Sequence, residues 1–154
     1  MLIESIEENI MAITLGVSVY PEQETIEQID AYLKLASSYG FTKVFTSMFS
    51  IEGNKDEVAQ YFKNFTGIAH QYGMKVSGDC NTKFLEKMGA DESNLSIFNE
   101  MGIDSIRMDL CYFDERDTKL INNSYNIGVE MSAAFIKPID EAIARGANID
   151  NLVC

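Results

Sequence analysis

Apolar residues recur along this chain in two alternating rhythms. Ile26, Ile29, Tyr32, Leu33 and Ala36 fall at helical spacing, as do Val58, Phe62, Phe65 and Ala69. Between and beyond them lie short apolar-rich runs that read as strands: Ile13 to Tyr20, Lys43 to Phe49, Lys75 to Asp79, Ser105 to Leu110 and Asn126 to Ser132. A sixth run begins at Asn151. The first helix opens in Glu22-Gln23-Glu24-Thr25 after Pro21 and runs to about Tyr39; the second spans about Asp56 to Tyr72. Short helices are expected from Asn81 through Met88, from Asn94 to Met101 and over Asp114 to Asn123. Pro138 suits the first turn of a last helix ending at Gly146.

Gly40, Gly73, Gly102 and Gly146 each follow a helix-like run and precede an apolar one. Glycine there lets a helix end in a left-handed turn and pass into a strand. The strand–helix–glycine–strand order predicts an α/β fold with a parallel βα repeat. About five and a half units fit in 154 residues, whereas a complete (β/α)8 barrel takes about 250. Two architectures are open at this point: a partial TIM-type barrel and a doubly wound sheet, which would need a reversal of strand order. Residues 1–11 are acidic, with Ile3, Ile6 and Ile10 at helical spacing, and read as an N-terminal extension before a domain over 12–154.

Composition narrows the class. A hydrophobic fraction of 46 % is that of a globular protein with a core. The net charge of −12 argues against a nucleic acid partner, whose phosphates require Lys and Arg. No apolar run reaches the roughly 18 residues of a membrane span, and Met1-Leu2-Ile3-Glu4 lacks a basic, secretory-type start. Cys80, Cys111 and Cys154 have no metal-like spacing, and their odd number argues against a disulfide framework. A cytoplasmic protein is expected, without membrane partners.

Polar residues on one alternating face of the strands are the candidate chemistry. Ser18 and Tyr20, Ser77 and Asp79, Arg107 and Asp109, and Glu130 and Ser132 are each two apart and share a side of their strand. Parallel strands buried on both faces are ordinarily continuous apolar runs. Burying charge is costly unless it is paired, so the pattern predicts a polar site toward the carboxyl ends of the strands. Arg107 and Asp109 read either as a structural pair or as a site acid tuned by its neighbour. Glu130, with apolar flanks, favours function. Asp79 either serves the site or caps the next helix, and Glu22 either serves the site or complements a helix dipole. Glu52 reads as solvated and His70 as structural. No nucleophile elbow, phosphate-binding loop or dinucleotide fingerprint is present. Glycoside hydrolysis by paired carboxylates, a magnesium-dependent lyase or aldolase-like barrel, and a binding module all fit these residues.

Three segments carry a more specific likeness: Leu15-Gly16-Val17-Ser18-Val19-Tyr20-Pro21-Glu22-Gln23, Tyr39-Gly40-Phe41-Thr42-Lys43-Val44-Phe45-Thr46-Ser47, and Gly102-Ile103-Asp104-Ser105-Ile106-Arg107-Met108-Asp109. In order and register they resemble the bacterial 6-phospho-N-acetylmuramidase family, over about Ala12 to Cys154. The resemblance implies an N-terminal TIM-type barrel followed by a cyclophilin-like β domain. It implies cytosolic cleavage of a 6-phospho-N-acetylmuramic acid–N-acetylglucosamine disaccharide in peptidoglycan recycling, with no organic cofactor; no metal is expected either, since Asp79, Asp109 and Glu130 could form an acid cluster but have no specific metal-ligand spacing. The matching strand-end positions are Ser18, Tyr20, Glu22, Ser47, Asp79 and Arg107, expected to bind substrate, and Asp109 and Glu130, expected to be the catalytic pair. This chain is shorter than the family pattern: the later barrel strands, the cyclophilin-like domain and the phosphate grip common after strands 7 and 8 are expected to be missing. Two other readings stand beside it: from the short length, an inactive barrel fragment that self-associates through the open edge of the sixth strand; and, from the carboxylates, a metal-dependent lyase on the same fold.

Overall fold

The computed structural model describes residues 13–79, 81–91, 93–110, 127–133, 140–141, 143–144 and 151–153. The expected N-terminal extension, the helix over Asp114 to Asn123, the Pro138 and Gly146 ends of the last helix, and the three cysteines lie outside the described residues.

Six strands form one sheet: β1 (Gly16–Val19), β2 (Lys43–Thr46), β3 (Lys75–Asp79), β4 (Ser105–Leu110), β5 (Gly128–Ala133) and β6 (Asn151–Val153). All neighbouring pairs are parallel, and the spatial order is the chain order, β1 to β6. The order never reverses among the described strands. The doubly wound alternative needs that reversal; sequential winding is the pattern of a (β/α)8 barrel, here present in part.

Helices α1 (Ile26–Ser38), α2 (Lys55–Gln71), α3 (Thr82–Met88) and α4 (Ser96–Glu100) fill the connections. Capping decides where the first two begin. Thr25 accepts from the Gln28 backbone while the Gln28 side chain accepts from the Thr25 N–H; Asn54 and Glu57 do the same for α2. Each box satisfies backbone donors that the first turn leaves unpaired. The helices therefore begin at Ile26, later than the acidic opening suggested, and at Lys55. At the far ends Gly40, Gly73 and Gly102 take φ of +85°, +71° and +77°, the left-handed turn expected of them. Gly102 is further constrained, because a Cβ there would stand 2.7 Å from the Thr66 hydroxyl.

The two faces of the sheet differ. Val19, Val44, Val76, Ile106, Val129 and Met131 are buried in one core with Ile29, Leu33, Phe62, Phe65, Phe84 and Phe98 of the helices. The alternate positions carry Lys43, Phe45, Ser77, Asp79, Ser105, Arg107, Glu130 and Ser132. This second face is concave. Lys43 on β2 forms an ion pair with Glu130 on β5, three strands away. On a flat sheet that separation is roughly 14 Å, at about 4.8 Å per strand, beyond comfortable reach of the two side chains. The ion pair requires the sheet to curl, as a barrel wall does.

Candidate active site at the carboxyl ends of the strands

The inner face is arranged in layers. Deepest is the Glu130 carboxylate, in a residue 2 % exposed. The Ser105 hydroxyl donates to its Oε1 at 2.6 Å, the Ser77 hydroxyl donates to its Oε2 at 2.8 Å, and the Lys43 ammonium pairs with Oε1. Four strands thus converge on one carboxylate. Such saturation is what a buried charge requires.

Arg107 sits beside this cluster. It is the register neighbour of Glu130 on one side and of Asp79 on the other. Its guanidinium stacks 4.5 Å from the centroid of the Phe45 ring and donates to the Ser132 hydroxyl at 3.3 Å. Stacking on an aromatic face holds the planar fork in one orientation. Phe45 and Arg107 come from β2 and β4, Ser77 and Glu130 from β3 and β5. This is the alternate-strand layering of a TIM-type interior.

Asp79 is the last residue of β3 and is half-buried. Its Oδ1 accepts from the Met48 N–H at 2.7 Å and its Oδ2 from the Ser47 hydroxyl at 3.3 Å. The helix-capping alternative for Asp79 does not hold, since Asn81 caps α3. Asp79 instead captures the loop after β2, and β2 stops at Thr46, short of the expected Phe49, because the Met48 N–H turns to this carboxylate. One loop away, the Ser50 hydroxyl donates to Glu22 Oε2 at 2.7 Å. Glu22 also helps raise the pKa of Tyr61, whose hydroxyl is buried; desolvation is the larger cause, the Glu22 charge the smaller.

The expected residues divide accordingly. Ser47 and Asp79 come together, and Glu22 joins the neighbouring loop. Arg107 and Glu130 are adjacent by register. Asp109 belongs to the same strand side as Arg107 and is the register neighbour of Ser132; its side chain lies outside the described residues. Ser18 is the register neighbour of Phe45 on the adjacent strand, and with Tyr20 it lines a cavity of about 340 Å³ with Gln23, Gln28, Ile29 and Tyr32 of the α1 side. Lys43, Phe45, Ser50 and Ser105 escaped the sequence reading. The one signal for Lys43 was a lysine opening an otherwise apolar strand. His70 is structural as expected: its Nε2 lies 2.8 Å from Asp104 Oδ2, which also accepts from the Val76 N–H at 2.7 Å. Among the described residues no group of three or more His, Cys, Asp or Glu is close enough to hold a metal ion. Nor is any described helix long and apolar enough to cross a membrane.

Comparison with known proteins adds to this geometry. No curated protein sequence matches the chain significantly. Among solved structures, an uncharacterized B. cereus protein is 29 % identical with a TM-score of 0.63, over 88 % of this chain and 35 % of its own. A conserved Enterococcus faecalis protein of unknown function is 22 % identical with a TM-score of 0.68, over 91 % and 38 %. A chain described as a glycoside hydrolase is 10 % identical with a TM-score of 0.55, over 79 % and 37 %, a likeness of fold alone. The chain therefore spans little more than a third of the length of these structures. The family model for the N-terminal part of 6-phospho-N-acetylmuramidase matches residues 15–154. With that match across nearly the whole sequence, and a singly wound parallel barrel wall beneath it, the chain belongs to the 6-phospho-N-acetylmuramidase family, as its N-terminal part.

Proposed function

We propose that this chain supplies the strand-end carboxylates of a glycosidase that cleaves a 6-phospho-N-acetylmuramic acid–N-acetylglucosamine disaccharide, in the cytosol, during peptidoglycan recycling. The observation that carries the reading is the family match over residues 15–154. The polar, concave face ending in Asp79 and Arg107 is consistent with it. Because the chain spans about a third of its structural relatives, activity is a property of the protein in which residues 15–154 sit.

In such hydrolysis one carboxyl group protonates the leaving oxygen, and a second acts as nucleophile or as base toward water. Asp109 and Glu130 are the pair suggested by sequence. The burial of Glu130 and its three partners argue for a supporting role instead: it anchors the layer beneath Arg107. Asp79, half-buried at the end of β3, is the stronger partner for Asp109. The Met48 N–H and Ser47 hydroxyl, both donating to Asp79, hold its carboxylate in one orientation. Arg107, the register neighbour of Asp79 and two residues before Asp109 on β4, then serves as a fixed cation beside the pair.

The test is release of the two monosaccharides from the phosphorylated disaccharide. Asp79→Asn and Asp109→Asn should each lower kcat by about 10²-fold or more, the usual contribution of general acid–base chemistry. Glu130→Gln, as a positioning change, should act more on KM and stability than on kcat. Parental turnover in both aspartate variants would sink the assignment.

A further inference from the structure

A second cleft opens at the same end of the sheet. It encloses about 500 Å³ between the loop after β2 and α3, and is lined by Phe49, Asn81, Thr82, Lys83, Phe84 and Lys87. That volume is in the range of small-ligand sites, roughly 300–1,000 Å³. Phe49 is 57 % exposed although it follows directly on the buried Met48. An aromatic ring held out on an anchored loop is a platform for the apolar face of a ring-shaped ligand. Lys83 and Lys87 are four apart on α3, so their side chains stand on one side of the helix. Phe84, Leu85 and Met88 are buried and make α3 a rigid base.

Charge makes the grouping informative. The protein carries −12, and its 12 Lys and Arg are outnumbered by 24 Asp and Glu. A phosphorylated ligand approaches against that field unless local cations offset it. Here two lysines line one cleft, and among the described residues lining it none is acidic. Lys87 donates to the Ile51 carbonyl oxygen. An ammonium has three donors, so this bond orients the group and leaves donors for a phosphate. The cleft also adjoins the strand-end site, because α3 begins three residues after Asp79.

We propose that this cleft is the subsite for the phosphorylated sugar: Phe49 stacks on the sugar ring, and Lys83 and Lys87 hold its phosphate. The inference rests on the glycosidase reading above and names the part of that site which grips the 6-phosphate. It places that grip on the loops after β2 and β3.

The experiment is calorimetric titration of the protein with N-acetylmuramic acid 6-phosphate and with unphosphorylated N-acetylmuramic acid. Lys83→Gln/Lys87→Gln should weaken the phosphorylated sugar about tenfold or more and leave the unphosphorylated sugar unchanged. Phe49→Ala should weaken both. Lys83→Gln alone, an exposed change that spares the Ile51 contact, should show part of the loss even if Lys87→Gln loosens the loop. Added salt should weaken the phosphorylated sugar more than the unphosphorylated one, which keeps only its carboxylate charge. Equal affinity of parent and double variant for the phosphorylated sugar would overturn the subsite while leaving the glycosidase reading standing. Failure of the parent to bind the phosphorylated sugar would overturn the subsite as well, and turnover of the disaccharide then judges the glycosidase reading separately.

Discussion

Removing the Glu130 carboxylate is the sharpest test of the inner-face geometry. Glu130→Ala deletes the acceptor of two serine hydroxyls, at 2.6 and 2.8 Å, and the partner of Lys43. Hydrogen bonds to a charged group contribute roughly 1.5–3 kcal/mol each. Breaking a buried ion pair from one side costs about 3–5 kcal/mol. These overlap, because the hydroxyls and the ammonium serve the same carboxylate. The Lys43 side chain is 21 % exposed and regains some hydration when its partner is lost, whereas the Glu130 side chain is 3 % exposed. The expected loss for Glu130→Ala is therefore about 3–5 kcal/mol. Lys43→Met should fall at the low end, about 3 kcal/mol, since both serines still serve the carboxylate. The double variant should lose less than the sum of the singles, because the two residues share one interaction. Urea denaturation followed by circular dichroism measures this: the midpoint should fall with the slope unchanged. A loss below about 1 kcal/mol for Glu130→Ala, the value of a solvent-exposed pair, would refute the buried, curled arrangement.

Three further outcomes follow from the same structure. Asp104→Ala removes the acceptor of the buried Val76 N–H and should cost about 1–3 kcal/mol in urea denaturation, whereas His70→Ala at the exposed end of that contact should cost under about 1 kcal/mol. Gly78→Ala would bring a Cβ to 2.2 Å from the Sδ of the fully buried Met48 and should cost about 1–3 kcal/mol, less in the background of Met48→Ala. Tyr61 should ionise above the ordinary tyrosine range in an ultraviolet pH titration, and Glu22→Gln should bring it part of the way back. Because its folded pKa is raised, the stability it contributes is fully present below the unfolded tyrosine value of about 10 and is lost as pH rises through the folded one.

Much of the scaffold was legible because it depends on local chemistry. Helical spacing located the buried faces of α1 and α2, and the glycines at 40, 73 and 102 located their ends. The period-2 pattern of Ser77 and Asp79, and of Arg107, was enough to expect a polar inner face. Boundaries were less legible where a side chain interferes with the backbone. Thr25 and Asn54 delay helix starts by capping them, and Asp79 ends β2 early by taking the Met48 N–H.

What the sequence determined by itself, then, is the βα repeat, the membership of polar residues in one strand face, and the family. These follow from periodicities of two and 3.6 residues and from motifs read along the chain. Tertiary structure alone decided the rest: sequential strand order in place of a reversal, and which polar residues meet. Lys43 and Glu130 are 87 positions apart and three strands apart, and only the curl of the sheet joins them. That same curl turns Glu130, as a sequence the most conspicuous acid, into the most deeply partnered one. It leaves Asp79 at the strand ends, beside the lysine-lined cleft. Contacts between non-adjacent strands depend on register and curvature, which no local pattern encodes.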